Sequence, residues 1–183
     1  LSRCIESLAR AGWATPRLLV DTERVGSRNM LLDACRRARY LYSRWDRLLL
    51  VQDDVLFVGG LRAWVEQEIL ENPGLQKGVI SLWMPEVHFE RREGAWWRLP
   101  DDELPHRAYG ALAYVLDFDS VLSILRVGNF NSKQNQTEIF VGQVWKRENI
   151  PDWYPPRSLC QHIGDCSTIS PGMSWRTEVR RAA

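Results

Sequence analysis

No stretch of the 183 residues reaches the roughly 20 consecutive apolar residues of a membrane span. Neither sign of charge dominates: 24 Lys and Arg face 23 Asp and Glu, a formal net charge of +1. That balance excludes the basic surplus of a dedicated nucleic-acid binder and the acidic excess of a disordered tail. Cysteine is sparse, with four scattered residues, so no disulfide framework is indicated. Cys4 and Cys35 fall on apolar helical faces, where a free thiol packs as a small hydrophobe. Cys160 and Cys166 flank His162, but no Cys-x-x-Cys pair supports a zinc site there. Packed thiols in a reducing compartment are the simpler reading. The first residues, Leu1-Ser2-Arg3-Cys4-Ile5-Glu6, hold neither a starting Met nor a signal-peptide core, so the chain reads as a fragment or an N-terminally trimmed product.

What is present is a chain that is 45% hydrophobic, enough at this length for one domain with a core that needs no staple. Helical and strand patterns alternate along it. Ser2–Ala11 reads as a helix with Ile5, Leu8 and Ala9 on one face, and Arg17–Val20 as a strand ending at Asp21. Arg28–Ser43 is a long helix whose apolar residues follow the 3.6 period with arginines between them. Arg47–Gln52 holds Leu48-Leu49-Leu50-Val51, the continuous apolar run of a strand buried on both faces, and leads into Asp53-Asp54. Gly59-Gly60 opens a helix that Asn72-Pro73-Gly74 stops. Strands follow at Val79–Trp83 and Ala108–Leu116, then a short helix capped by Asp117 or Asp119. A polar loop over Gly128–Gln136, a helix over Thr137–Glu148, an irregular Pro151–Arg157 and a short strand at Leu159–Ile163 complete the order. Such alternation predicts an α/β fold: a sheet with helices on both faces and a ligand outside the carboxyl ends of its strands. Asp21 and Asp53-Asp54 are then expected to line one crevice.

Each candidate site residue carries two readings. Asp53-Asp54 after an apolar strand is either a turn or cap, or a carboxylate pair meeting a divalent cation such as Mg²⁺ or Mn²⁺. His162 is either a core imidazole bonded to a backbone carbonyl or a metal ligand beside Asp54. Glu138 is either a first-turn carboxylate favoured by the helix dipole or a general base at the crevice mouth. Gly110 marks either close packing or backbone that must approach a ligand. Trp96 and Trp97 are either core or a platform for a sugar face.

These residues resemble a family. Gln52-Asp53-Asp54-Val55 behind the Leu-Leu-Leu-Val strand is similar to the acidic metal-binding motif of GT-A fold glycosyltransferases, notably the Glu-Asp-Asp form of N-acetylglucosaminyltransferases and their bacterial relatives. Tyr109-Gly110-Ala111-Leu112-Ala113-Tyr114 resembles the family's glycine-rich segment, and Gln136-Thr137-Glu138 stands where those enzymes carry an acidic residue at a helix start. Pro156-Arg157-Ser158-Leu159-Cys160-Gln161-His162-Ile163-Gly164 looks like their C-terminal segment, whose His completes the metal site. Ser27-Arg28-Asn29-Met30 resembles a nucleotide-side Asn opening the second helix.

The resemblance implies one GT-A-like, Rossmann-like mixed-sheet domain over 1–183 that lacks the family's first strand. It implies a metal-dependent, inverting transfer from a nucleotide-sugar donor, expected to be a UDP-sugar, to a hydroxyl acceptor. Asp54 and His162 would hold Mn²⁺ or Mg²⁺, Glu138 would be the base, Asp21, Asn29, Asp53 and Gly110 would meet the donor, and Trp96 and Trp97 the acceptor. A degenerate nucleotide- or carbohydrate-binding module without turnover is the alternative. Asn135-Gln136-Thr137 is a glycosylation sequon beside the expected base, where a glycan would obstruct the crevice, so a bacterial or viral cytoplasmic origin is favoured over a Golgi lumen.

Overall fold

The computed structural model describes residues 1–23, 26–41, 47–83, 96–98, 113–128 and 137–162, and gives the backbone alone for Leu41, Trp97, Glu138 and His162. Gly110, Cys166, the sequon Asn135 and the chain beyond His162 lie outside the described residues. The helices are α1 (Ser2–Ala11), α2 (Ser27–Leu41), α3 (Leu61–Glu71), α4 (Phe118–Gly128) and α5 (Thr137–Glu148). The strands are β1 (Leu48–Val51), β2 (Val55–Phe57), β3 (Val79–Ser81), β4 (Trp97–Arg98), β5 (Ala113–Leu116), β6 (Asp152–Tyr154) and β7 (Cys160–His162). A five-stranded sheet runs in the order β1-β5-β3-β6-β4, and β2 pairs with β7 in a separate two-stranded sheet. Only β3 and β6 run parallel; the other pairs are antiparallel. The fold is therefore α/β with a mixed sheet.

The alternation of side chains along each strand sends them to two apolar clusters, one per face. Leu49, Val51, Ile80, Ala113 and Val115 join the cluster of Cys4, Leu8, Leu61, Val65 and Leu75 from the α1 and α3 side. Leu48, Leu50, Val79, Tyr114 and Leu116 join Leu32, Cys35, Ile124, Val141, Val144 and Trp145 from α2, α4 and α5. Helices therefore cover both faces, as the alternation predicts. The face that α1 buries is Cys4, Ser7, Leu8 and Ala11, one step round from the expected Ile5 and Ala9. Ser7 shifts the stripe because its hydroxyl is used inside: it donates to Cys4 O at 2.8 Å and accepts the Phe57 N–H at 3.3 Å, tying α1 to β2.

Two strand expectations need correction. Arg17–Val20 forms no strand, and Leu18 and Val20 are 53% and 70% exposed. Among the described residues β1 pairs on one side only, with β5, and Arg17–Val20 joins no ladder. The same edge position explains why β1 is half-buried at all four residues rather than buried: both faces are covered, but one edge is open. Conversely, Pro151–Arg157 holds β6, and β2 and β4 were too short to show any period.

The lower edge of the sheet, at the start of β3, is fastened around Gly78. Its N–H donates to Asp117 Oδ2 at 2.7 Å, and its carbonyl accepts from Arg47 Nη1 at 3.2 Å and from the Asp117 N–H at 3.3 Å. Asp117 Oδ1 also takes the Ser120 N–H at 2.8 Å, which settles which of the two aspartates caps α4. Gly78 sits at φ 93°, and a Cβ there would lie 2.2 Å from Pro151 O. Replacement by Ala meets left-handed strain and a backbone oxygen that cannot rotate away. Gly78→Ala is expected to lower unfolding stability by about 3 kcal/mol in urea titration, whereas Gly26→Ala, with open space around it, is expected to show the smaller cost of φ alone.

Candidate metal and donor site

Of the expected site residues, Asp53, Asp54 and the backbone of His162 lie at the upper edge, the carboxyl ends of β1 and β3. β1 ends at Val51, and Asp53-Asp54 form the turn that sends the chain back out as β2. Asp53 is exposed on that turn and Asp54 is half-buried, with Oδ1 shielded from solvent. The turn is held from below by α1, where the Cys4 thiol donates to Gln52 O at 3.6 Å. β2 then pairs with β7 in the register Val55↔His162, Leu56↔Gln161, Phe57↔Cys160. His162 thus stands directly across from the residue that follows Asp54, although 108 positions separate Asp54 from His162 in the chain. β7 is anchored at its start by the Leu159 N–H donating to Leu82 O at 2.8 Å.

Two helix N-termini close on the same edge. α4 starts at the lower edge beside Gly78, and its last residue, Gly128, accepts from Arg28 Nη2 at 3.2 Å. The first turn of α2, which carries Asn29, is therefore at the upper edge. The Arg28 guanidinium also lies 4.8 Å over the Phe140 ring in the first turn of α5. That contact brings the helix start that carries Asn29 beside the one that carries Glu138. The α5–β6 link is only Asn149-Ile150-Pro151, so α5 reverses into β6 and its start overlies the strand's carboxyl end.

Other expected residues stand elsewhere. Asp21 does not follow a strand; its Oδ2 accepts the Gly26 N–H at 3.0 Å and closes the turn before α2. With no strand at Arg17–Val20, strand position does not carry Asp21 into the crevice. Trp96 precedes β4, at the opposite edge of the sheet from β1, with its ring stacked on Trp64 at 5.7 Å and 20°. Its Nε1 donates to Glu68 Oε2 at 2.6 Å. The Trp97 backbone pairs with Tyr154.

The described thiols, Cys4, Cys35 and Cys160, are buried and free. Burial pushes Cys160 upward, with the nearby Cys4 adding to it, and pushes Cys35 up to about 12. Burial thus holds both in the neutral thiol form. Among the described residues, which do not include the His162 side chain, no group of three or more His, Cys, Asp or Glu gathers to hold an ion. A carboxylate and an imidazole are nevertheless a donor set that suits Mn²⁺, with further positions left to water and phosphate oxygens.

Sequence reasoning passed over a buried polar cluster. Asp152 on β6 is 2% exposed and accepts from Ser81 Oγ on β3 at 2.9 Å and from Tyr154 OH at 2.7 Å. No cation meets it among the described residues, and burial raises its carboxyl from 3.8 to about 7 against the lowering effect of the two hydroxyls. The aromatic pair Trp153-Tyr154 after Asp152, between Pro151 and Pro155, was the available signal for a short strand.

Compared with protein-family models, with curated proteins and with solved structures, the chain gives no match. Among the described residues, no helix is long and apolar enough to cross a membrane.

Proposed function

We propose that the chain is a metal-dependent glycosyltransferase domain of GT-A type that uses a nucleotide-sugar donor, a UDP-sugar in the first instance, and a hydroxyl acceptor. The observation that carries this reading is the β2–β7 register, which pairs the strand leaving Asp53-Asp54 with the strand ending at His162. Distant acidic and imidazole residues are thereby brought to one strand pair at the sheet's carboxyl edge, where α/β sheets bind ligands. Asp54 and His162 would hold a divalent cation, with Asp53 turned toward the donor ribose or the ion's waters. When bound, the cation would neutralise charge on the departing diphosphate. Asn29 and Gly110 would meet the nucleotide side of the donor. Glu138, at a helix start beside Asn29's, would take the proton of the acceptor hydroxyl in a single inverting displacement.

The test is thermal unfolding with Mn²⁺, with and without UDP, followed by a screen of nucleotide sugars for nucleotide release. A ligand at a hundredfold its Kd adds about 2.7 kcal/mol to stability if it binds only the folded chain. Mn²⁺ is expected to raise Tm, UDP to raise it further, and Asp54→Ala to abolish both shifts. An undiminished shift in Asp54→Ala removes Asp54 as a ligand. Donor binding with no nucleotide release under any acceptor points instead to the binding module without turnover.

A further inference from the structure

Between the second half of α2 and the second half of α4, Arg36, Arg39, Tyr40 and Leu125 line an open cleft of about 210 Å³. α2 begins at the upper edge with Asn29, and its three cleft residues follow seven to eleven positions later, about 10–16 Å further along the helix at 1.5 Å per residue. The cleft is therefore apart from the helix start that faces the acidic turn.

Helical spacing gathers the side chains. Arg36 and Arg39 are three residues apart and Arg36 and Tyr40 four, so all three share one face of α2. Leu125 meets them from α4. The two helices are packed tightly beside the cleft, where a Cβ on Gly128 would lie 2.3 Å from Leu32 Cδ2. Both walls thus stand on fixed backbone.

Charge defines the ligand class. Arg36 and Arg39 are exposed, and neither forms an ion pair among the described residues. The carboxylates nearest in the fold have other partners: Asp33 pairs with Arg37 at 2.8 Å, and Glu148 with Arg126 and Arg147. Like charges one turn apart destabilise a helix, and an anion shared between them removes that repulsion. The carbonyl end of α2 favours a cation such as Arg39 in the last turn, but it accounts neither for Arg36 nor for the Tyr40 ring, 88% exposed beside both. A carboxylate offers two oxygens and one charge, which a single guanidinium fork can engage. A phosphate monoester offers three terminal oxygens and close to two charges, enough for both forks. Tyr40 and Leu125 add an aromatic and an apolar surface for the group that the phosphate carries. The volume is below the roughly 300–1,000 Å³ of ordinary ligand pockets, which suits a phosphate with one ring rather than a chain.

We propose that this cleft binds a small soluble phosphate monoester, with the phosphate shared by Arg36 and Arg39 and its aromatic or apolar group lying on Tyr40 and Leu125. The proposal does not rest on the transferase reading, and it stands or falls without turnover.

The experiment titrates the ¹⁵N-labelled full chain with phenyl phosphate, inorganic phosphate and benzoate, read at the α2 amide and arginine Nε–H resonances. The titrations are run at about pH 7.5, where the monoester is close to dianionic. Phenyl phosphate is expected to saturate these signals in the millimolar range. It should bind about threefold more tightly than inorganic phosphate, because Tyr40 meets its ring, and more tightly than benzoate. Arg36→Gln and Arg39→Gln are each expected to weaken it about fivefold, the upper worth of an exposed ion pair. Tyr40→Ala is expected to erase the preference over inorganic phosphate. All three positions are exposed, so the variants keep the fold. Arg37→Gln, on the neighbouring stripe and paired with Asp33, is the control and is expected to change the affinity far less. An equal loss in Arg37→Gln marks a diffuse basic surface and overturns the proposal. So does the absence of a saturable shift, benzoate binding as tightly as phenyl phosphate, or unchanged affinity in Arg36→Gln and Arg39→Gln.

Discussion

On the proposed transferase reading, Glu138→Gln is expected to lower sugar transfer by about 10²–10⁴-fold, the usual worth of a positioned acid–base group, while Mn²⁺ and donor binding persist. A sugar hydroxyl is a poor nucleophile at neutral pH, so direct displacement at the anomeric carbon needs a carboxylate to take its proton. Glu138 is the second residue of α5, whose start overlies the carboxyl end of β6 and is braced on α2 through Arg28 and Phe140. Gln keeps the shape and removes the basicity, so binding and chemistry separate cleanly in this variant. Steady-state nucleotide release and the anomeric configuration of the product are the measurements. Near-parental turnover would reduce Glu138 to a first-turn carboxylate that favours the helix dipole. A product that retains the donor's configuration would sink the single displacement even with the transferase assignment intact.

The second large effect concerns Asp152 and pH. Its carboxyl is raised from 3.8 to about 7 because burial disfavours the charged form more than Ser81 and Tyr154 favour it. The folded chain therefore keeps a proton that the unfolded chain releases between about pH 4 and 7. The unfolded chain thus holds fewer protons than the folded chain in that window, and the contribution of Asp152 to stability falls as pH rises through it. At 1.36 kcal/mol per pH unit the full window is worth about 4 kcal/mol. Below pH 4 and above pH 7 the contribution is flat. Other carboxylates titrate over part of the same range, so the measurement is the difference between parent and Asp152→Asn. Urea unfolding at half-unit steps from pH 4 to 8.5 should show that difference move by about 4 kcal/mol in favour of the variant as pH rises. Parallel curves would mean that Asp152 is charged and fully compensated in the folded state.

The candidate site was legible in part. Asp53-Asp54 could be picked out because a carboxylate pair directly after Leu48-Leu49-Leu50-Val51 is costly without a partner or a turn, and both facts are local. Their relation to His162 could not be derived from spacing, since two strands of three residues have no period to read and their pairing is made across more than a hundred positions. Trp96 could be singled out as an aromatic of two possible uses. Its separation from the acidic turn depends on strand order, which places β4 at the far edge.

What the amino-acid sequence determined by itself is the described helices and the apolar strands β1, β3 and β5. α1 and α5 fall at the residues that periodicity predicts, and α3 lies between Gly60 and Asn72, because capping, helical spacing and chain breakers act within a few residues. Tertiary structure alone decided the fate of Arg17–Val20, which has a strand's composition but joins no ladder among the described residues, and the half-burial of β1, which has a buried strand's composition but pairs on one side only among them. It alone decided the burial of Asp152 as well. A hydrogen-bonded ladder and a desolvated carboxylate are properties of pairs and surroundings, and the free energy of each is set by residues that are distant in the chain.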